Sequence, residues 1–137
     1  MKSAIVSPGP KVSIEDTPTP KPSFGQVLIK VEYCGSNPKD WKVFSLFPDV
    51  PPSNQCNDVA GFVEQVGEGV TEFRRGDRVA ALTLFAVGGG YAEYAVAPAL
   101  TTFFLPETTT FRGWCFFFPA SIEFTMLGYV YCMAFSP

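Results

Sequence analysis

Hydrophobic and polar positions alternate most clearly over residues 26–34. Val27, Ile29, Val31 and Tyr33 fall on one side, Leu28, Lys30, Glu32 and Cys34 on the other. A period of two marks a half-buried strand, because successive side chains of an extended chain point to opposite faces. Shorter β-like runs precede it at residues 4–6 and 12–14, separated by Pro8-Gly9-Pro10. The alternating prolines of Thr17-Pro18-Thr19-Pro20-Lys21-Pro22 block helix and sheet pairing alike and predict an extended loop. Further strands are predicted at residues 59–66, 78–84, 91–96 and 101–105, with turns at Gly67-Glu68-Gly69 and Arg75-Gly76-Asp77 and a loop at Gly88-Gly89-Gly90.

One helix interrupts this pattern. Asn37-Pro38 reads as its start, with Asn37 as the capping residue and Pro38 in the first helical position. Asp40 falls in the first turn, where the helix dipole by itself explains a carboxylate. Pro48, Pro51 and Pro52 keep the helix short. Many short strands joined by Gly and Pro turns predict a mainly β fold, a small, partly open barrel with short helices. From about Phe111 the pattern is lost. Residues 112–137 are rich in aromatics, carry only Arg112 and Glu123 as charges, and show no convincing helical or strand period. The expected division is therefore a barrel over residues 1–110 and an aromatic-rich tail over 111–137. As a membrane span the tail is marginal, since Pro119 and Glu123 sit inside it.

Composition narrows the chemistry. The 137 residues suffice for one domain with a real core and no need of staples. The net charge is −3, and the basic residues do not cluster, so no nucleic-acid partner is expected. There is no histidine, which excludes a Ser-His-Asp or Cys-His mechanism within this chain and removes the commonest zinc ligand and general base. Cys34, Cys56, Cys115 and Cys132 form no CxxC pair, so neither a zinc ribbon nor a thioredoxin-like motif is present. We read them as free thiols of a reducing compartment. With no apolar run at the amino terminus to serve as a secretion signal, this makes a cytoplasmic location the expectation. Gly88-Gly89-Gly90 is not read as a phosphate loop, because a strand-like run rather than a helix follows it.

The order and spacing of several motifs resemble one family. Gly35-Ser36-Asn37-Pro38-Lys39-Asp40-Trp41-Lys42 is similar to the GxNPxDWK segment of quinone-oxidoreductase-type medium-chain dehydrogenase/reductases. Asp58-Val59-Ala60-Gly61, Val66-Gly67-Glu68-Gly69-Val70 and Gly76-Asp77-Arg78-Val79 follow as in the GroES-like catalytic domain of that family. Gly90-Tyr91-Ala92-Glu93-Tyr94 matches its GGYAEY strand. The set covers roughly residues 1–110 and is most similar to the fungal subgroup that includes trans-acting enoyl reductases.

The resemblance implies NADPH-dependent, zinc-free reduction of a small-molecule enone, quinone or enoyl thioester. Zinc-dependent members carry a Cys where Asn37 stands and a His-Glu pair where Asn57-Asp58 stands, so no catalytic zinc is expected. Asn37 and Lys42 would face the cofactor, and Lys42 would stabilise the developing enolate charge. The plain alternative for Lys42 is a solvated surface lysine. Asn57 and Asp58 would shape the substrate cleft. Tyr91 would lend it a phenol, although an aromatic on an alternating strand is usually core. Family members continue into a Rossmann domain, of which no motif is found here. The tail departs from the family pattern as a translated intron or a frameshift would. The chain is therefore expected neither to bind NADPH tightly nor to turn over alone, and to self-associate through the tail. A non-catalytic binding module and a membrane-tethered barrel are the competing readings.

Overall fold

A computed structural model describes residues 1–9, 11–83 and 88–117. Expectations for residues 118–137, self-association through the tail among them, lie outside the described residues. Strands β1 (Lys2–Ser7) and β2 (Lys11–Asp16) form an antiparallel hairpin. The main sheet comprises β3 (Gln26–Gly35), β4 (Asp58–Val66), β5 (Arg78–Leu82), β6 (Tyr94–Pro98) and β7 (Thr102–Phe104). Its order is β6-β3-β4-β5-β7, antiparallel throughout. The sheet curls into a half-barrel: β5 and β6, separated in the order by two strands, touch across its concave side. Val27, Ile29, Val59, Val63, Val79 and Ala97 fill that concavity and are essentially inaccessible to solvent. The predicted mainly β, partly open barrel is the fold observed.

The strand over residues 26–34 does not keep its two faces. Its pairing with β4 shifts register between Leu28 and Ile29 and again between Val31 and Tyr33. The second shift leaves Glu32 without a partner across the ladder, and such a β-bulge reverses which side chains point inward. Val27, Ile29 and Val31 pack in the core as expected, but Tyr33 turns outward and Cys34 packs inward in its place. The strand expected over residues 91–96 likewise begins later, at Tyr94. The backbone of residues 91–93 is shared with β1: Ala4 N–H donates to Tyr91 O (2.7 Å) and Glu93 N–H to Lys2 O (3.2 Å), while Glu93 O still accepts from Val31 N–H of β3 (3.0 Å). Those bonds, with Val6 paired to Ser53, dock the hairpin beside the sheet.

Two helices flank the sheet. The expected short helix is α1 (Lys39–Leu46). The second, α2 (Phe111–Phe117), was not foreseen. Its Phe111 and Trp114 pack against the convex face, where Ala60, Ala80 and Leu105 form a small second core. Phe111 meets Phe62 edge-on at 5.1 Å and Trp114 meets Phe103 at 4.8 Å. The Arg78 guanidinium lies 4.6 Å from the Phe111 ring centre and donates to Pro106 O and Thr109 O (2.9 and 2.8 Å). Phe111 and Trp114 thus serve as cover for a sheet face. At least the first turns of the segment beyond residue 110 belong with the barrel.

The bulge also dictates one glycine. Gly61 sits in the central strand between Val31 and Val79, and any β-carbon there would collide with the Lys30 carbonyl. Backbone cannot yield as a side-chain tip can, so Gly61→Ala is expected to destabilise the chain by about 2 kcal/mol or more in urea unfolding. A loss below about 0.5 kcal/mol would mean that the two strands do not approach as described.

Candidate active-site wall

The sheet brings four segments to one place. They are the exit of β3 through Gly35 into α1, the loop leading to β4, the start of β4, and the residues before β6. Asp40 lies at their meeting point and is only 4% exposed. Its Oδ2 accepts hydrogen bonds from Asn37 N–H (2.8 Å) and the Tyr91 hydroxyl (3.0 Å). Its Oδ1 accepts from Cys56 N–H (3.1 Å) and Lys39 Nζ (2.7 Å). A buried carboxylate is tolerated only when so satisfied. The dipole explanation of Asp40 therefore falls short, because the side chain ties α1 to two other segments. Within the helix start it accepts from Asn37 N–H, three residues back, across the capping Pro38.

Asn37 does not cap α1 as expected; Pro38 stands at the capping position and Lys39 begins the helix. No side-chain bond closes the helix start. Its Nδ2 instead donates to Asp58 Oδ2 at 2.6 Å, and both residues are buried. Burial pushes the Asp58 carboxyl up to about 6, against the opposing pull of the Asn37 amide and the Lys39 charge, and with a further push from Asp40. Asp58 is thus a carboxyl poised near neutrality at the base of the site.

Tyr91 is half-buried, not core. Its hydroxyl lies 2.7 Å from Ser36 Oγ as well as donating to Asp40. Burial is the first cause that raises its pKa, so the phenol keeps its proton and acts as a donor. Beside it opens a cavity of about 490 Å³. Asn37, Asp40 and Tyr91 give this cavity a polar end. Ala4, Val6 and Trp41 make the rest of its lining largely apolar. The hairpin, which sequence reasoning left without a role, therefore supplies one side of the site.

Asn37 and Tyr91 line this cavity, and Asp58 stands behind Asn37 without lining it; Lys42 and Asn57 do not line it. Lys42 is exposed on α1, its Nζ 5.3 Å from the centre of the Trp41 ring. Asn57 is half-buried, accepts Thr83 N–H through its carbonyl (2.7 Å) and lines a separate cavity of about 330 Å³ with Val43 and Gly88. Asp40 is the residue that sequence reasoning undervalued. The spacing of Asn37 and Asp40 carried the signal for the local bond, but its contacts with Cys56 and Tyr91 span 16 and 51 residues and leave no local trace. Among the described residues, no three His, Cys, Asp or Glu side chains are grouped so as to hold a metal ion.

The raised Asp58 value fixes a pH dependence. The folded chain binds this proton more tightly than the unfolded chain between the ordinary 3.8 and about 6. The stabilisation is therefore present below about pH 3.8 and is lost as pH rises through about 6. Asp58→Asn keeps an oxygen for the Asn37 amide but removes the titration. In urea unfolding, the stability of the parent chain relative to this variant should fall by on the order of 2–3 kcal/mol between about pH 4 and pH 7. Parallel pH profiles would show that Asp58 is not desolvated.

A family model described as the alcohol dehydrogenase GroES-like domain matches residues 23–107. A trans-enoyl reductase of Gibberella fujikuroi is 54% identical over 113 residues, covering 82% of this chain and 33% of its own length. A quinone oxidoreductase of Rattus norvegicus is 45% identical over 101 residues, covering 71% and 30% respectively. Among solved structures, the quinone oxidoreductase of Coxiella burnetii superposes with a TM-score of 0.70 at 30% identity, over 81% of this chain and 38% of that one. A mycobacterial protein solved in complex with NADPH does so with a TM-score of 0.71 at 33% identity, over 84% and 35%. The chain thus spans about a third of the length of the relatives it matches. The chain belongs to the alcohol dehydrogenase GroES-like domain family, within the medium-chain dehydrogenase/reductases.

Proposed function

We propose that this chain forms the substrate-side wall of an NADPH-dependent, zinc-independent reductase of conjugated carbonyls, of the enoyl or quinone reductase type. The observation that carries this reading is the cavity itself, a largely apolar slot closed at one end by Asn37, Asp40 and Tyr91. A flat apolar enone, quinone or enoyl thioester suits such a lining, with a few fixed polar atoms to orient its carbonyl. Among the described residues the Asn37 side chain has one hydrogen-bond partner, Asp58. Its Oδ1 and second amide hydrogen remain for a substrate carbonyl or the amide end of the cofactor. The Asp58 bond holds that amide in place before any ligand arrives, which is how positioning contributes to rate.

The cofactor supplies the hydride when bound. This chain fits only its reacting end. Among the described residues no strand, glycine loop and helix follow one another as a pyrophosphate cradle requires. Gly90 leads instead into Tyr91, whose N–H is held by Asn54 Oδ1 at 3.0 Å. The residues do not fit a catalytic zinc. The positions expected to supply ligands hold two amides and one carboxylate, and the Asn37 nitrogen is already spent on Asp58. Activation of the carbonyl thus falls to hydrogen bonds and charge. Lys42 belongs to this proposal as the cation near the developing enolate. Its four-carbon stem must swing from the Trp41 ring to take that part. A cytoplasmic location and small-molecule rather than nucleic-acid partners are part of the same reading, supported by the net charge of −3 and the free thiols of Cys34 and Cys56. Among the described residues no helix is long and apolar enough to cross a membrane.

The chain alone is expected to show no saturable NADPH binding by fluorescence titration. A chimera in which residues 1–110 replace the matching segment of the Gibberella relative is expected to oxidise NADPH when given an α,β-unsaturated thioester or a quinone. Asn37→Ala should lower its kcat/KM by about 10²-fold, the scale of a lost transition-state hydrogen bond. Lys42→Ala should lower kcat more than it raises KM. A folded chimera inactive on both substrate classes would contradict the proposal.

A further inference from the structure

Two thiols lie together at the back of the site. Cys34 sits near the end of β3, where the bulge turns it inward, and Cys56 lies two residues before β4. Cys56 Sγ lies against the carbonyl of Gly35, the residue after Cys34, and Gly90 adjoins both cysteines; neither is in a disulfide. Their surroundings differ. Cys34 is half-buried and lines an open groove of about 570 Å³ together with Tyr33 and Gly90. Cys56 is wholly buried, its sulfur 3.4 Å from Gly35 O and 3.3 Å from Asp58 O.

Cys56 is also the one non-glycine residue with positive φ among the described residues, at 72°. A side chain in the left-handed region costs energy that glycine would not, and the weak thiol bond to Asp58 O offsets little of it. Its backbone is nonetheless held from both sides: the N–H donates to Asp40, and the carbonyl accepts from Gly90 N–H (2.7 Å) and Thr83 Oγ1 (3.2 Å). An over-determined strained residue that presents a thiol to a second thiol motivates a functional reading.

We propose that Cys34 and Cys56 form a peroxide-responsive dithiol, with Cys34 the attacking and Cys56 the resolving sulfur. The Cys34 sulfur, reached through the groove, displaces one oxygen of a hydroperoxide. The O–O bond breaks, Cys34 becomes a sulfenic acid, and water or an alcohol leaves with the second oxygen. The Cys56 sulfur then attacks the sulfenic sulfur, its thiol proton leaves with the hydroxyl as water, and a disulfide forms. In total two thiols are oxidised by two electrons and one peroxide is reduced. An external dithiol reverses the oxidation. The neighbouring Cys56 side chain holds the Cys34 thiol below its ordinary range, against its burial and the Asp40 charge, which favours the thiolate, the form that attacks. The groups facing the pair are Asp40 and Asp58, whose charges oppose thiolate formation at Cys56 and leave it the resolving partner. Because Cys56 N–H holds Asp40, the cross-link ties the redox state of this pair to the wall of the adjoining cavity.

The test needs neither cofactor nor substrate, so its outcome is independent of the reductase reading. The full chain carrying Cys115→Ser and Cys132→Ser is treated with hydrogen peroxide, alkylated and digested with trypsin. A linked pair of the peptides 31–39 and 43–74, lost on treatment with dithiothreitol, is expected. Cys56→Ser should stop the reaction at a sulfenic acid on Cys34 that dimedone traps, and Cys34→Ser should leave Cys56 unmodified. If the folded chain instead gives sulfinic acid on Cys34 with no linked peptide, or if Cys56 oxidises as fast without Cys34, the proposal is overturned. Circular dichroism of each variant identifies any that fails to fold. In that event the unsubstituted chain decides, because its linked peptide forms or does not form independently of the variants.

Discussion

A single buried carboxylate holds the site region together. Asp40 receives hydrogen bonds from the helix start, the loop before β4, a neighbouring lysine and the phenol of Tyr91. A hydrogen bond to a charged group contributes about 1.5–3 kcal/mol. Removing the partners of a buried charge costs on the order of 3–5 kcal/mol. The start of α1, the loop before β4 and the residues before β6 therefore cannot separate without stranding that charge. The Asn37 backbone, the Tyr91 phenol and the strained Cys56 backbone take their positions from it, and Asp58 then fixes the Asn37 side chain.

The half-barrel makes this convergence possible. The bulge at Glu32 turns the end of β3, so that Cys34 faces the core and Gly35 pairs with Asp58. The chain then leaves toward α1 directly over the start of β4. The same crossing forces Gly61 beneath the Lys30 carbonyl. On the opposite side, β1 captures the backbone of residues 91–93, which brings Tyr91 to face Ser36 and Asp40 instead of the core. The fold thus gives the cavity a rigid polar end, set by sheet geometry, and an apolar side from a hairpin whose β2 strand is exposed along its length. Such a division suits a site that must orient one polar atom of an otherwise apolar ligand.

Much of the fold was legible in the sequence because its signals are local. Turn glycines, proline breaks and period-two runs gave the strands their approximate places, and Asn37-Pro38 marked the helix. Features set by distant partners were not legible. The inversion of Tyr33 and Cys34 depends on register with β4, and the late start of β6 depends on competition from β1. Helix α2 was hidden because Phe111 and Trp114 serve packing against the convex face, and an aromatic-rich segment shows no clean period. Within the site, Asn37, Asp58 and Tyr91 were named from the resemblance of their motifs. Asp40 was discounted because a dipole sufficed locally. Lys42 and Asn57 came from the same motifs, yet adjacency along the chain does not decide which face of a helix or loop a side chain occupies.

Amide hydrogen exchange at two backbone positions tests the central role of Asp40 most directly. Asn37 N–H and Cys56 N–H lie in different segments, and both end on this carboxylate. Both should be protected in the parent chain. Both should lose protection together in Asp40→Ala, while the β3–β4 ladder amides keep theirs. Fast exchange of either amide in the parent chain, or independent loss of the two in the variant, would contradict the account.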